Sequence, residues 1–349
     1  MPASNALTWH ADALQRRLAA LLPGLTVVVV PSIASTNTEL LAQARAPAGT
    51  APCLLVAEHQ THGRGRQGKV WQSSLGDSLT FSLRLPLAPA DWSGLSLAVG
   101  LALADALDPP QPGQALRLGL KWPNDLLLLA PPAPVAPGAG PARPLIGGKL
   151  GGILVETAQV GAQRLVVVGV GLNLRPPLAA PDDCAAGPTL SWGYAGLQAL
   201  HPGLDAPATL ARVAAPLLQA LLAFEQAGFA PLRQRFAARD VLLGRAVTTT
   251  LADLPSGTAD GVDDSGTLWL RVPAGAAGAA GAAGAAGAAG ASGAAGAAGA
   301  AGAAGAADLG GGQRRPVRSG EVSLRLAVGP QSQGANPQDP PASLAVRLC

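Results

Sequence analysis

The chain has 349 residues, enough for two domains. Its 24 Lys and Arg against 21 Asp and Glu give a net charge of +3, spread thinly outside one loop, which argues against a nucleic-acid footprint. Cys53, Cys184 and Cys349 form neither a metal-binding spacing nor a disulfide frame, no signal peptide is evident, and no apolar run reaches the ~18 residues of a membrane span, so a cytoplasmic protein is expected.

Residues 7–22 predict an amphipathic helix, with Leu14, Leu18, Leu21 and Leu22 on one face and Arg16 and Arg17 on the other. The β-branched run at 25–30 predicts a buried strand. Ser35 is placed to cap a helix starting near Thr36, with Glu39 near its first turn. Residues 53–58 read as a second strand, and a basic loop leaves its end. Residues 79–85 alternate as a strand, 95–107 read as a helix with a small-residue face, and 116–122 as a strand ending at Pro123. Residues 152–157 and 164–170 predict a hairpin around Gly161, and 209–224 and 231–239 predict helices. This is an α/β pattern.

Beyond Asp240 the pattern becomes short strands, at 245–251, 257–262, 268–272 and 321–326. Asp263-Asp264-Ser265-Gly266 reads as a hairpin turn, so a small barrel or sandwich is expected. The Pro- and Gly-rich stretch 130–147 predicts a mobile loop. Residues 275–307, inside an insertion over 274–312, are almost pure Gly-Ala-Ala. They lack the proline of a collagen helix and bury too little to offset ordering entropy, so a disordered connection is expected. The chain divides on this reading into residues 1–239, residues 240–328 and an unstructured tail at 329–349.

The most informative stretch is Gly63-Arg64-Gly65-Arg66-Gln67-Gly68-Lys69-Val70-Trp71. Glycines let a backbone bend around an anion and offer its N–H groups, and the cations neutralise phosphate or carboxylate charge. A P-loop would need Ser or Thr after Gly68-Lys69, and Val70 stands there instead. A basic surface loop is the other reading of this stretch taken alone.

Four further motifs follow the same order as in one family. They are Ser35-Thr36-Asn37 upstream with Gln60, then Lys121-Trp122-Pro123-Asn124-Asp125-Leu126, then Gly148-Lys149-Leu150-Gly151-Gly152, then Gly169-Val170-Gly171-Leu172-Asn173. With the basic loop, they resemble the biotin–protein ligases from about residue 25 to about residue 326. The resemblance implies a class II aminoacyl-tRNA synthetase-like catalytic domain, a mixed sheet flanked by helices. It also implies a small SH3-like C-terminal barrel, matched by Gly261-Val262-Asp263 and Ser319-Gly320-Glu321-Val322-Ser323-Leu324-Arg325. Only about twenty-five residues precede the first strand, too few for the helix-turn-helix domain of repressor members, so no DNA partner is expected.

The implied chemistry has two steps. Biotin's carboxylate attacks the α-phosphorus of ATP, giving biotinyl-5′-AMP. A lysine of the biotin carboxyl carrier protein of acetyl-CoA carboxylase then displaces AMP. Mg2+ is expected to arrive with ATP, held by phosphate oxygens, with no protein ligand assigned. The resemblance places Arg66, Lys149 and Asp125 in catalysis. It places Ser35, Thr36, Asn37, Gln60, Arg64, Gly65, Arg66, Lys149 and Gly152 around biotin. It places Gly63, Arg64, Arg66, Trp71, Lys121, Asn124 and Asn173 around ATP and the adenylate.

Bland roles stay open for several of these. Ser35 can be an ordinary helix cap, Trp71 a loop anchor, Asn173 a turn former and Asp125 a structural carboxylate. His59 and His62 are three apart but lack a third ligand, so they read as strand-end and loop residues. A lipoate ligase-like acyl transferase and a nucleic-acid-binding protein are the rival functions.

Overall fold

A computed structural model describes residues 7–46, 49–131, 144–177, 193–273, 312–318 and 324–326. The Gly-Ala-Ala tract, most of the 130–147 segment, residues 319–323, the 329–349 tail, Cys184 and Cys349 lie outside the described residues.

In chain order, the first unit comprises α1 (Ala11–Ala19), β1 (Thr26–Ile33), α2 (Thr36–Ala44), β2 (Cys53–Gln60), β3 (Gly63–Arg64), β4 (Val70–Trp71), β5 (Ser78–Pro86) and α3 (Leu95–Leu107). It continues through β6 (Leu118–Lys121), β7 (Asp125–Leu129), β8 (Ile146–Val160), β9 (Gln163–Asn173), α4 (Ala206–Ala227) and α5 (Arg233–Ala237). Seven strands form a mixed sheet in the order β1-β2-β5-β9-β8-β7-β6. Only β1 and β2 run parallel, with α2 as their crossover; the remaining neighbours are antiparallel.

Strand periodicity assigns the two faces. Leu79, Phe81, Leu83 and Leu85 of β5 and Val166, Val168, Val170 and Leu172 of β9 enter the main core with residues of α1, α3 and α4. The alternate residues face α2, whose Leu40 packs with Cys53, Leu55 and Val167. On that side β5 carries Ser78, Thr80, Ser82 and Arg84, and β9 carries Gly169, Gly171 and Asn173. An apolar strand face has thus been exchanged for small and polar groups along one stripe.

Helix α4 is capped by Asp205, whose Oδ1 accepts from Ala208 N at 2.8 Å, and has Pro207 in its first turn. It is long and apolar enough to cross a bilayer. Its Leu210, Val213, Leu217, Leu221 and Phe224 are instead buried in the core beside α3. Just after α5, the Arg239 side chain is 1% exposed and donates to Asp105 Oδ1 (2.8 Å), Asp108 Oδ2 (3.0 Å) and Leu118 O (2.9 Å). It ties α3, β6 and the following chain together.

The second sheet holds β10 (Ala246–Thr249), β11 (Ser256–Val262), β12 (Leu268–Pro273), β13 (Gly312–Val317) and β14 (Leu324–Leu326), antiparallel throughout in the order β13-β12-β11-β10-β14. Val247, Ala259, Leu268, Leu270 and Val317 are buried in it. Asp263 builds the expected turn, its Oδ1 accepting from Ser265 N at 2.9 Å and Thr267 N at 3.0 Å. Buried Trp122 crosses to this turn and donates Nε1–H to Gly266 O at 3.0 Å. Gly266 lies so close to Gly94 that a Cβ would meet Gly94 Cα at 2.7 Å.

Several elements differ from the sequence expectation. Strand β7 was not expected, and neither was the β3–β4 hairpin in the basic loop. Strand β8 starts at Ile146, inside the segment read as a mobile loop, because β7 offers it a pairing edge. Strand β13 starts at Gly312, the last residue of the expected insertion. The helix expected at 231–239 is a 3-10 turn (Ala230–Leu232) followed by the short α5. Of the strand expected at 321–326, Leu324–Leu326 is described.

Candidate active site

The polar stripe of the central sheet is covered by Asn37, from the N-terminus of α2, at Gly169 and by Trp71, from the β3–β4 hairpin, at Gly171. Its floor is glycine for steric reasons. A Cβ on Gly169 would come 2.3 Å from Asn37 Oδ1, and one on Gly171 would come 2.3 Å from Trp71 Cε2. At Gly152 the nearest atoms would be Trp71 Cζ3 (3.6 Å) and Lys149 Nζ (3.7 Å). The Trp71 indole therefore lies flat against the floor, and its buried Nε1–H has no hydrogen-bond partner. An unpaired buried donor costs about 1–3 kcal/mol unless a ligand meets it.

The basic loop is an ordered hairpin. Gly63 pairs with Trp71 and Arg64 with Val70, and Gly65 N donates to Lys69 O at 2.7 Å. Left-handed Gln67 (φ 56) and Gly68 (φ 72) make the turn. Ser73 clamps the hairpin base to Gln60, accepting from Gln60 N at 2.9 Å and donating to Gln60 O at 3.2 Å. The hairpin carries Arg66 to Asn124, where Nη1 donates to Oδ1 at 3.3 Å.

One end of the stripe is ionic. Asp125 Oδ1 lies 2.7 Å from Lys149 Nζ, and its Oδ2 lies 3.4 Å from Lys121 Nζ. Burial pushes the Asp125 carboxyl up, but Lys149 and Lys121 together outweigh burial and hold it below the usual carboxylate range. Burial pulls the Lys121 ammonium below the usual lysine range, with Asp125 opposing. Burial likewise lowers the Arg66 guanidinium, again against Asp125. Three cations around one carboxylate leave a net positive pocket. Asn124 Nδ2 donates to Ile153 O (2.9 Å), and Asn173 Nδ2 donates to Lys149 O (3.3 Å), so both amides brace β8.

The other end is a row of neutral hydrogen bonds. Gln60 Oε1 accepts from Thr36 N at 2.8 Å, and Thr36 Oγ1 lies 3.1 Å from the same oxygen and 2.6 Å from Ser82 Oγ. Ser82 donates to Asn37 Oδ1 at 2.5 Å, and Asn37 Nδ2 donates to Glu156 Oε2 at 2.9 Å. Ser35 caps α2, its Oγ accepting from Thr38 N at 3.4 Å.

The fold thus gathers Arg66, Trp71, Lys121, Asn124, Asp125, Lys149, Gly152 and Asn173 at one end, and Ser35, Thr36, Asn37 and Gln60 at the other. Gly63 and Gly65 lie in the hairpin. Arg64 is exposed at the rim, with Nη1 3.5 Å from Thr38 Oγ1. His59 is the penultimate residue of β2, and His62 is exposed in the turn after the strand. Ser82 and Glu156 were missed as site residues. Glu156 has a sequence signal, a carboxylate ending an apolar run; Ser82 has none, because it stands in an alternating strand whose full burial shows only in the fold.

A family model described as the biotin/lipoate A/B protein ligase family matches residues 29–173. The chain is 36% identical over 255 residues to the biotin--[acetyl-CoA-carboxylase] ligase of Mycobacterium tuberculosis, covering 70% of this chain and 82% of that protein. It is 36% identical over 250 residues to the enzyme of the same name from Paracoccus denitrificans, covering 69% and 92%. Among solved structures, the biotin protein ligase from Aquifex aeolicus in complex with biotin and ATP shares the fold. Its TM-score is 0.57 at 19% identity, over 86% of this chain and 99% of that one. The chain belongs to the biotin protein ligase family.

Proposed function

We infer that the protein activates biotin with ATP and transfers it to acetyl-CoA carboxylase. The observation that carries this reading is the cationic pocket of Arg66, Lys121 and Lys149 beside a glycine floor roofed by an indole with a spare donor. Joining a carboxylate to a polyphosphate needs fixed positive charge where two anions meet.

In this reading biotin's fused ring lies at the neutral end by Thr36, Asn37 and Gln60, with the N-terminal N–H groups of α2 nearby. Its tail runs over Gly152, and its carboxylate reaches Lys149 and Arg66. The carboxylate oxygen attacks the α-phosphorus and pyrophosphate leaves. Arg66 and Lys149 stabilise charge on the phosphate, while Trp71 and Asn173 flank the adenylate. An incoming lysine amine then attacks the acyl carbon, AMP departs with the bonding electrons, and the amine loses a proton. Asp125 is a poor proton acceptor because its carboxyl is held low. Its role is to hold Lys149 and Lys121 in place.

Both Asp125 oxygens are engaged by lysines, and the described residues contain no group of three or more His, Cys, Asp or Glu suited to a metal. The side chains here do not fit a protein-held magnesium. Magnesium would come with ATP, held by its phosphate oxygens.

The finer parts of this reading are a carrier-protein lysine as acceptor and a cytoplasmic setting. They also include an SH3-like closure of the second sheet, with residues 1–239 catalytic and 240–328 forming the second domain. The five antiparallel strands support the separate second domain. The experiment is direct: purified protein, biotin, ATP and a carboxylase carrier domain. The expected result is a mass gain of one biotin that requires ATP. A carrier unchanged by biotin but acylated by lipoate would overturn the reading.

A further inference from the structure

The protons in the neutral row can be counted. Asn37 Nδ2 faces Glu156 Oε2 (2.9 Å) and Leu154 O (3.3 Å), two groups that accept, so Oδ1 must face Ser82. The single Ser82 proton is therefore spent on Asn37, across 2.5 Å. The 2.6 Å contact between Thr36 and Ser82 then needs the Thr36 proton. Nothing remains for the 3.1 Å approach of Thr36 Oγ1 to Gln60 Oε1. Gln60 cannot relieve this by turning its amide over, because Oε1 is held by Thr36 N–H at 2.8 Å. Its Nε2 points to the hairpin side, where a Cβ on Gly63 would meet it at 3.2 Å. Three contacts share two hydroxyl protons, and the shortage falls on a buried pair of acceptor oxygens.

We propose that Ser82 and Glu156 are positioning residues that make this acceptor pair demand an N–H donor from the bound ring. The inference rests on biotin being the substrate. A ureido ring brings two N–H groups, whereas the dithiolane ring of lipoate brings none. A ring that supplies the proton completes the row; one that does not leaves two buried acceptors facing each other. Sites wired for a hydrogen bond reject ligands lacking it far more strongly than apolar pockets reject a missing methylene. The wiring would thus select ureido over dithiolane substrates on a fold that a single model describes for biotin and lipoate ligases alike.

The test is calorimetric binding of biotin and of its two carbamate isosteres, in which ring oxygen replaces one or the other N–H. In the wild type, the weaker carbamate should bind at least about tenfold less tightly than biotin. In Ser82→Ala the Thr36 proton is free to turn to Gln60, and the gap should fall to about threefold or less. Ser82→Thr restores the hydroxyl and should restore the gap. Glu156→Gln, whose amide offers either a donor or an acceptor to Asn37, should also narrow it. A purely structural role would weaken biotin and carbamate alike. Equal weakening, or a gap unchanged in Ser82→Ala and Glu156→Gln while biotin still binds, would overturn the inference alone. Absence of biotin binding by the wild type would overturn the functional reading beneath it.

Discussion

At the ionic end of the stripe, the proposed chemistry turns on the charge of a single side chain. Lys149→Ala removes the ammonium 2.7 Å from Asp125 and should slow biotin-dependent ATP–pyrophosphate exchange by about a hundredfold or more. An effect below about threefold would remove Lys149 from the mechanism. Asp125 has a second signature. Its folded-state carboxyl lies below the ordinary value, so its stabilisation is present above about pH 4 and is lost as pH falls through the folded value. Asp125→Asn should therefore unfold at lower urea than the wild type at pH 7, with the difference shrinking below about pH 4. A difference that is constant with pH would mean the ion pairs are energetically idle.

At this scale the sequence was legible where polar or charged residues interrupt apolar runs, as at Gln60, Lys121, Asp125, Lys149 and Asn173. Ser82 was not legible. In Ser78, Thr80 and Ser82 the alternation of β5 reads as an ordinary solvent face. Only the packing of α2 over that face turns those hydroxyls into a buried row.

Among elements, the β3–β4 hairpin and the floor strand β9 are coupled through one contact. Gly171→Ala places a Cβ where Trp71 Cε2 now lies, 2.3 Å away, so the indole plate must lift from the floor. The expected outcome is a loss of adenylate formation of tenfold or more with little change in thermal stability, read by pyrophosphate exchange and calorimetry. Unimpaired exchange would show that the plate's position is irrelevant. The hairpin was illegible because glycines and cations are weak strand formers; its turn depends on left-handed Gln67 and Gly68. Strand β7 was missed because Leu126–Leu129 is a short apolar run behind Pro123, Asn124 and Asp125, without alternation to reveal it. By contrast, β5 was legible from its alternation, and β9 and α3 from their apolar runs.

The link between α5 and the second sheet carries a different titration. Asp240 bonds Leu242 N through Oδ1 at 2.9 Å, while its buried Oδ2 has no partner. Burial raises its carboxyl to about 6. The protonated form is favoured in the folded state, so the wild type loses stability as pH rises through about 6. Asp240→Asn should be more stable than the wild type at pH 8, and the two should converge near pH 4. A denaturation series from pH 4 to 8 checks the sign; a gain at low pH would contradict it.

Across the whole molecule, the insertion that dominates the composition joins two neighbouring strand ends. Pro273 pairs with Gly312 across β12 and β13, so residues 274–311 close a hairpin whose partners are already in register. Replacing them with an Asn-Gly turn should preserve biotinylation within about threefold. A dead variant would mean that the tract itself acts on ATP or the carrier. The family and its mixed sheet were legible from five motifs in order. The contact of Trp122 with Gly266, which joins the two sheets, depends on residues 144 positions apart and had no local trace.

The claim on which the account stands is that Arg66 and Lys149 together hold a biotinyl adenylate. The most direct measurement is native mass spectrometry of the purified protein after mixing with biotin and ATP. The account predicts one biotinyl-5′-AMP retained per chain, and its loss in the folded Arg66→Ala/Lys149→Ala double variant. A wild type that retains no adenylate, or a double variant that retains it as well as the wild type, would contradict it.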